Sequence, residues 1–266
     1  MLRARLLSFI LLVGIFGGIP LHAQFLGEDI NDVGSVEELL AAIGPDRTIR
    51  LKPGALVFSN GSLKKHKHVG RLGYAVFIHE VKNMRIVGAA QGASELTGDE
   101  LTLTFANCRN IELRDLKLKR TGSTPGAVIR FTSSTNSLLR NCEITDGTAG
   151  AIELKQVDRF ELRNVAVRNC RPGIVLAESS ANLTFERCSF ENNGKDYGMR
   201  LQTVYGVLFE DCVFAGNTAT DFFQLSASGK LAITGGQWKG NTYQQLKPPG
   251  VRLRLEQVQG LDPKTN

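Results

Sequence analysis

Apolar and polar residues alternate along the chain in a pattern that returns about every 24 positions. Residues 185–190 read FERCSF, residues 209–214 read FEDCVF, and the two cysteines are 24 positions apart. Equivalent phrases recur at intervals of 23 to 26 residues, centred on Leu116, Cys142, Val165 and Gly236. A fixed period of this length predicts a solenoid, in which each repeat folds as one unit and stacks on the next.

Each repeat contains three short segments in which apolar residues alternate with polar ones, separated by polar or glycine-rich turns. The first segments are Leu103–Phe105, Ile129–Phe131, Ile152–Leu154, Ile174–Leu176, Met199–Leu201 and Phe223–Leu225. A leucine-rich repeat has a similar length but needs a helical return, whereas this alternation runs through all three segments. We therefore predict an all-β fold, a parallel β-helix of about seven coils, with its repeats near residues 74–244.

Asparagine and cysteine recur at fixed positions of the coil. Four asparagines just before the second segment suit left-handed bends and stacked side-chain amides: Asn83, Asn110, Asn136 and Asn182. Three cysteines share one inward column and two lie in turns: Cys142, Cys188 and Cys212, then Cys108 and Cys170. The odd number and the lack of metal-ligand spacing predict buried free thiols. The alternative is a Cys188–Cys212 disulfide, close enough at a coil spacing of about 4.8 Å but poorly oriented.

The start of the chain carries an export signal and a cap. Residues 1–23 combine Arg3 and Arg5 with an apolar run of about 14 residues, shorter than the roughly 20 that span a bilayer. We predict a cleaved signal peptide at 1–23 and a mature domain at 24–266, periplasmic or extracellular and without a stable membrane anchor. Ser35 and Glu38 form a capping box, which predicts a helix near 35–43 that closes the first coil.

Charge restricts the partners that this protein can have. The net charge of +6 falls to +4 without Arg3 and Arg5, which suits acidic glycans without requiring them. We expect no nucleic acid partner, because no basic tract or basic-aromatic pattern occurs. Residues 60–73 form a basic stretch with two histidines, and we expect a flexible surface loop there, the alternative being a site for a metal or an acidic chain.

Several phrases resemble the pectate-lyase-like right-handed parallel β-helix superfamily. They read VEELLAAI (36–43), TIRLKPGALVFS (48–59), VKNMRIVGAA (81–90), NCRNIELRDLKL (107–118) and GVLFEDCVFAGN (206–217). The resemblance extends from about residue 33 to 243 and implies a single-stranded, right-handed coil. It implies little about chemistry, because this fold hosts lyases, glycoside hydrolases, esterases, binding proteins and phage spikes.

The catalytic patterns of this superfamily do not recur clearly in the sequence. A polygalacturonase-like Gly-His-Gly is missing, and the one Arg-x-Lys, at 50–52, is far from any pair of aspartates. A pectate-lyase-like Trp-x-Asp-His phrase aligns with residues 113–116 or 209–212, which lack the tryptophan and the histidine. Asp115 and Asp211 lie four coils apart, too far to share one ion. We therefore expect no evident cofactor or metal; calcium is the alternative, without a convincing site.

Outward-facing columns indicate where a ligand binds. The column of the first segments reads Phe77, Thr104, Arg130, Glu153, Val175, Arg200 and Gln224. A column of the second segments reads Arg114, Arg140, Arg163, Glu186 and Glu210, which suits either an anion-binding stripe or a solvated face. Beside the first column, the turn at 191–198 adds Asp196 and Tyr197. Tyr197 and Phe222 are the expected exposed aromatic residues of this face.

A carboxylate, an arginine and an aromatic platform together suit a sugar. We predict a polysaccharide-binding surface formed by Arg130, Glu153, Asp196, Tyr197 and Arg200, on an exported protein that binds an extended, anionic polysaccharide. One alternative is a polysaccharide lyase or glycoside hydrolase, with Arg200 and Glu153 as candidate catalytic residues separated by one position of the column. The other is a structural or adhesion protein of the envelope. The sequence leaves substrate, catalysis and oligomeric state open.

Overall fold

The computed structural model describes residues 29–58, 66–72, 75–89, 93–99, 102–226, 229–247 and 253–261. Within these ranges the chain forms a parallel β-helix of about seven coils with a single short helix. The predicted signal peptide lies outside the described residues, as do residues 60–65 of the predicted loop at 60–73. No helix in the described ranges has the length and apolar character to cross a membrane.

Three sheets form the sides of the solenoid, and each complete coil contributes one strand to each sheet. Sheet A contains β1 (Asp29–Val33), β2 (Arg47–Leu51), β6 (Lys82–Val87), β9 (Arg109–Arg114), β12 (Thr135–Arg140), β15 (Asp158–Arg163), β18 (Ala181–Glu186), β21 (Tyr205–Glu210), β24 (Leu231–Thr234) and β27 (Leu253–Glu256). Sheet B contains β3 (Gly54–Phe58), β7 (Ser94–Gly98), β10 (Leu116–Arg120), β13 (Glu143–Thr145), β16 (Ala166–Arg168), β19 (Ser189–Glu191), β22 (Val213–Ala215) and β25 (Gln237–Lys239). Sheet C contains β4 (Val69–Leu72), β5 (Ala75–His79), β8 (Thr102–Ala106), β11 (Ile129–Thr132), β14 (Ile152–Lys155), β17 (Val175–Glu178), β20 (Tyr197–Gln202), β23 (Thr218–Ser226) and β26 (Thr242–Gln245).

The chain turns between sheets on single residues in the left-handed backbone conformation. Between sheets A and B, five coils place such a residue at the same corner, with φ between 51° and 57°: Asp115, Asn141, Asn164, Arg187 and Asp211. Asparagine and aspartate adopt this conformation more readily than most residues. Their side chains also link the coils, since Asn141 Nδ2 donates to Asp115 Oδ1 at 3.0 Å and Asn164 Nδ2 donates to Asn141 Oδ1 at 3.2 Å.

The predicted asparagine ladder is present at the corner that enters sheet A. Asn83, Asn110, Asn136 and Asn182 have φ between 52° and 57° and lie second in their strands rather than before them. Asn110 Nδ2 donates to Asn83 Oδ1 at 2.6 Å, and Asn136 Nδ2 donates to Asn110 Oδ1 at 3.0 Å.

Inward side chains form continuous apolar columns along the solenoid. Sheet A aligns Leu139 with Leu113 and Leu162, and Phe185 with Phe209. The Phe185 and Phe209 rings stack with centroids 4.5 Å apart. The stacked rings confirm that the repeat exists to bury a shared core, which a single coil does not enclose by itself.

One register prediction is wrong. Glu153 pairs with Leu176, and Leu176 pairs with Arg200, so that Leu176 is the outward residue of β17 and Val175 is fully buried. The turn before β17 contains Pro172 and Gly173, and it sets the coil spacing from Ile152 to Val175 at 23 residues. A shift of one residue moves every side chain of a strand to the opposite face.

The ends of the solenoid differ. Helix α1 (Val36–Ala42) covers the first coil, and Ser35 Oγ accepts a hydrogen bond from Glu38 N at 3.2 Å, as the capping box predicts. Residues 69–72 are not a flexible loop: they form β4, which adds to β5 in the antiparallel direction and extends sheet C. At the far end, β27 is the last strand of sheet A and pairs with β24.

All five cysteines are free and buried, as expected. Burial raises the pKa of the Cys142 and Cys170 thiols to about 12 in each case. Contact with the Cys212 thiol and burial together raise the pKa of Cys188. The thiols of Cys142, Cys170 and Cys188 are therefore protonated at neutral pH and unreactive, since the thiolate is the nucleophile.

We predict that no cysteine of the native protein reacts with Ellman's reagent at about pH 8 over several minutes. After unfolding in guanidinium without reductant, all five thiols react, because none is in a disulfide. Fast labelling of the native protein, or a count of three thiols after unfolding, would contradict this assignment.

Two buried serines of β12 and the preceding turn provide a matched test of the core. Ser137 Oγ points inward and has no hydrogen-bond partner among the described residues, whereas Ser134 Oγ accepts from Cys108 N at 3.0 Å. An unsatisfied buried hydroxyl costs about 1–3 kcal/mol. Ser137→Ala should raise the free energy of unfolding by about 1 kcal/mol, and Ser134→Ala should lower it by about 1–3 kcal/mol. Urea unfolding measures both values, and equal losses would show that Ser137 has a partner.

Candidate functional site

The outer face of sheet C contains the residues that the sequence proposes for ligand binding. Its central column reads Phe77, Thr104, Arg130, Glu153, Leu176, Arg200 and Gln224. Arg130 and Glu153 form an ion pair across adjacent coils, with Nε at 2.8 Å and Nη2 at 2.6 Å from Glu153 Oε2. The charges of Arg130 and Glu153 therefore largely neutralise each other.

Tyr197 is not an exposed aromatic platform, which corrects the sequence prediction. Its side chain is 2% exposed, because β20 begins at Tyr197 and its ring packs over Gly173 in the preceding coil. Only a residue without a side chain fits at position 173 beneath this ring. Phe222 is also fully buried, so that neither predicted aromatic is available to a sugar.

The buried tyrosine supports Arg200 from below. The guanidinium carbon of Arg200 lies 4.2 Å from the centroid of the Tyr197 ring. Such a cation–π contact is favourable and holds the guanidinium near the ring. Burial raises the pKa of Tyr197, Glu153 and Asp196 act in the same direction, and Arg200 opposes them. The Tyr197 hydroxyl therefore experiences both the negative charge of Glu153 and the positive charge of Arg200, which lie two coils apart.

Arg200 is held from its other side by Gln224. Arg200 Nε donates to Gln224 Oε1 at 2.8 Å on the next coil. Both residues line an open cleft of about 360 Å³, whose walls are Arg200, Gln202, Asp221, Gln224, Leu225 and Ser226. This volume is at the lower end of the range of about 300–1,000 Å³ that ligand pockets occupy.

Asp221 supplies the carboxylate of the cleft. Its Oδ1 atom is buried and has no hydrogen-bond partner within the described part of the chain. Buried polar atoms are nearly always hydrogen-bonded in native proteins, so this oxygen is an exception. The contribution of Asp221 to the cleft rests on its place in the cleft wall. The periodicity of the sequence did not single out Asp221, because β23 has nine residues and its first half extends beyond the repeated segment.

The remaining predicted residues are outside the cleft. Asp196 is exposed in the turn before β20, and its backbone N donates to Pro172 O at 3.1 Å. The arginine stripe on sheet A is largely neutralised: Arg114 Nε lies 3.1 Å from Asp115, and Arg163 Nε lies 3.3 Å from Glu186. A paired arginine is a weaker anion site than the guanidinium of Arg200.

The donor groups of the cleft do not fit a calcium site. Nowhere in the described ranges do three acidic, histidine or cysteine side chains gather closely enough to hold a metal ion. Calcium takes six to eight oxygen ligands, and the cleft offers one carboxylate, Asp221.

The sequence of the coils places the chain in a known family. Residues 79–246 match the model of the right-handed β-helix region, and the chain belongs to this family. A search of curated protein sequences finds no significant match.

Solved structures share the fold at low sequence identity. The chain is similar to the pectate lyase Bsp165PelA from Bacillus sp. N165, in complex with trigalacturonate, with a TM-score of 0.66, 12% identity and coverage of 91% of this chain and 86% of that one. It is also similar to the thermostable pectate lyase PL 47, with a TM-score of 0.52, 10% identity and coverage of 85% and 75%. The chain thus has the right-handed parallel β-helix fold, which it shares with these two pectate lyases.

The support of Arg200 by Tyr197 is testable through stability. Tyr197→Ala removes a buried ring and leaves a cavity, and it should lower the free energy of unfolding by about 3–5 kcal/mol. Tyr197→Phe keeps the ring and should change this energy by less than about 0.5 kcal/mol. Urea unfolding measures both variants. A large loss in Tyr197→Phe would show instead that the phenol hydroxyl holds the site together.

Proposed function

We propose that this protein is exported and binds an extended, anionic polysaccharide along the outer face of sheet C. One observation carries the proposal: Arg200 is held between the Tyr197 ring and Gln224, at a cleft that also contains Asp221. A prepositioned guanidinium recognises carboxylate and sulfate groups well, because less freedom is lost on binding.

The shape of the solenoid supports a polymer rather than a small ligand. Sheet C extends through nine strands, and successive coils repeat at about 4.8 Å. Polar side chains continue from the cleft along this face, through Gln202, Lys155 and Glu178. The fold similarity to a pectate lyase crystallised with trigalacturonate makes a uronate polymer the first ligand to test. The predicted signal peptide supports contact with such polymers outside the cytoplasm.

A polysaccharide lyase or hydrolase is the second candidate. Catalysis requires an acid or base within reach of a charge-stabilising group in one cleft. Arg200 and Asp221 line the same cleft, which favours this pair over the Arg200–Glu153 pair that the sequence suggested. Glu153 is engaged by Arg130, and Leu176 separates it from Arg200 in the register.

The first experiment is a binding panel with the mature protein, residues 24–266. The polymers are polygalacturonate, alginate and a sulfated glycan, with a neutral glucan as control. We expect binding to at least one acidic polymer and none to the glucan. We expect Arg200→Ala to weaken this binding at least about tenfold, as the loss of a charged hydrogen-bonding partner does.

Arg254→Ala is the matched control, since Arg254 is an exposed arginine of sheet A that pairs with Glu256 at 2.5 Å. It should bind like the wild type. Absorbance of unsaturated uronates and the release of reducing ends are read in parallel, and a rise in either would establish the enzyme. Lack of binding to every acidic polymer would refute the proposal and favour a structural or adhesion role.

A further inference from the structure

The acidic residues on the outer face of sheet C are not equally available. Glu153 pairs with Arg130 at 2.6 Å, and Glu178 pairs with Lys155 at 3.6 Å. Asp221 is the acidic residue that lines the cleft, and its Oδ1 atom lacks a hydrogen-bond partner within the described ranges. A divalent cation at the cleft would therefore find one uncommitted carboxylate, too few for the oxygen shell that calcium requires.

The cation that the cleft does contain is Arg200. Its Nε atom donates a hydrogen bond to Gln224 Oε1 at 2.8 Å, and its guanidinium carbon lies 4.2 Å from the centroid of the Tyr197 ring. The two terminal nitrogens of a guanidinium match the two oxygens of a carboxylate in a planar fork. Arg200 can thus neutralise a carboxylate directly, which is the task that a bridging metal ion performs where no arginine is present.

Asp221 has the complementary chemistry. A carboxylate group accepts hydrogen bonds through either of its two oxygens, and Asp221 lines the cleft beside Arg200. A sugar hydroxyl is a donor of suitable size, and Asp221 is the register partner of Tyr197 and lies on the coil that also contains Gln224. The cleft therefore presents a donor group for an acid and an acceptor group for a hydroxyl.

We propose that this cleft binds one acidic sugar residue without a divalent cation: Arg200 donates to its carboxylate, and Asp221 accepts from one of its hydroxyls. The inference rests on the proposed function and adds the recognition chemistry. It also disagrees with a calcium-bridged site of the kind that the resemblance to pectate lyases suggests, because the donor groups present do not fit that ion.

The test is isothermal titration calorimetry of the mature protein with trigalacturonate and with trimannuronate. Each titration is done once in buffer with a chelator and once in buffer with calcium. Maltotriose is the neutral control. We expect one acidic trisaccharide to bind with the same affinity in both buffers, within about twofold. Arg200→Ala should weaken this binding at least about tenfold, and Arg200→Lys should restore only part of it, since lysine lacks the planar fork.

Two substitutions test Asp221. Asp221→Asn keeps the shape and an acceptor oxygen, and it should weaken binding by a few-fold; Asp221→Leu has no acceptor and should weaken it at least about tenfold. Urea unfolding checks that each variant is folded, and Asp221→Asn remains informative if Asp221→Leu is not. Equal affinity of wild type and both variants would refute the role of Asp221.

The possible failures are distinguishable. An affinity that rises at least about tenfold with calcium, or that survives Arg200→Ala, would overturn this inference while the proposed function stands. Binding of the polymer without either trisaccharide would do the same. If neither polymer nor trisaccharide binds in either buffer, the proposed function itself is wrong and this inference fails with it.

Discussion

The structure depends on one backbone constraint: the chain must turn between sheets on single left-handed residues. Asn141 and Asn164 show the solution, since each adopts the unfavourable φ and then donates its side-chain amide to the coil below. The left-handed conformation costs most residues about 1–2 kcal/mol. Asparagine and aspartate, which tolerate it, therefore occupy many of the corners, although Arg187 adopts it as well. The spacing of the corner residues sets the length of each coil. Coil length sets the register of the sheets, and the register decides which side chains share the outer face of sheet C.

Much of the fold could be predicted from the sequence because the repeated coil produces a regular spacing of apolar residues and of asparagine. The columns that contain Phe185 and Phe209, and the ladder of Asn83 and Asn110, are confirmed. The register of β17 was wrong by one residue, because Ile174 is apolar and buried although it belongs to the turn. Periodicity identifies apolar residues and does not distinguish a buried turn residue from an inward strand residue.

The candidate site was harder to predict for a different reason. Arg200 was identified correctly as outward-facing, but the role of Tyr197 depends on a contact with Gly173 in the preceding coil. Asp221 belongs to the coil after Arg200, and only the paired strands place both at one cleft. Arg130 is neutralised because the next coil places Glu153 beside it. Arg200 keeps its charge because the next coil places the neutral Gln224 beside it.

A crystal structure of the mature protein with a bound acidic oligosaccharide tests the central claim most directly. We expect a sugar on the outer face of sheet C, with its carboxylate against Arg200, a hydroxyl against Asp221 and Tyr197 buried beneath the guanidinium. Leu176, and not Val175, should face the same side as the ligand. A ligand on sheet A or sheet B, or a metal ion between the sugar and Asp221, would contradict the account.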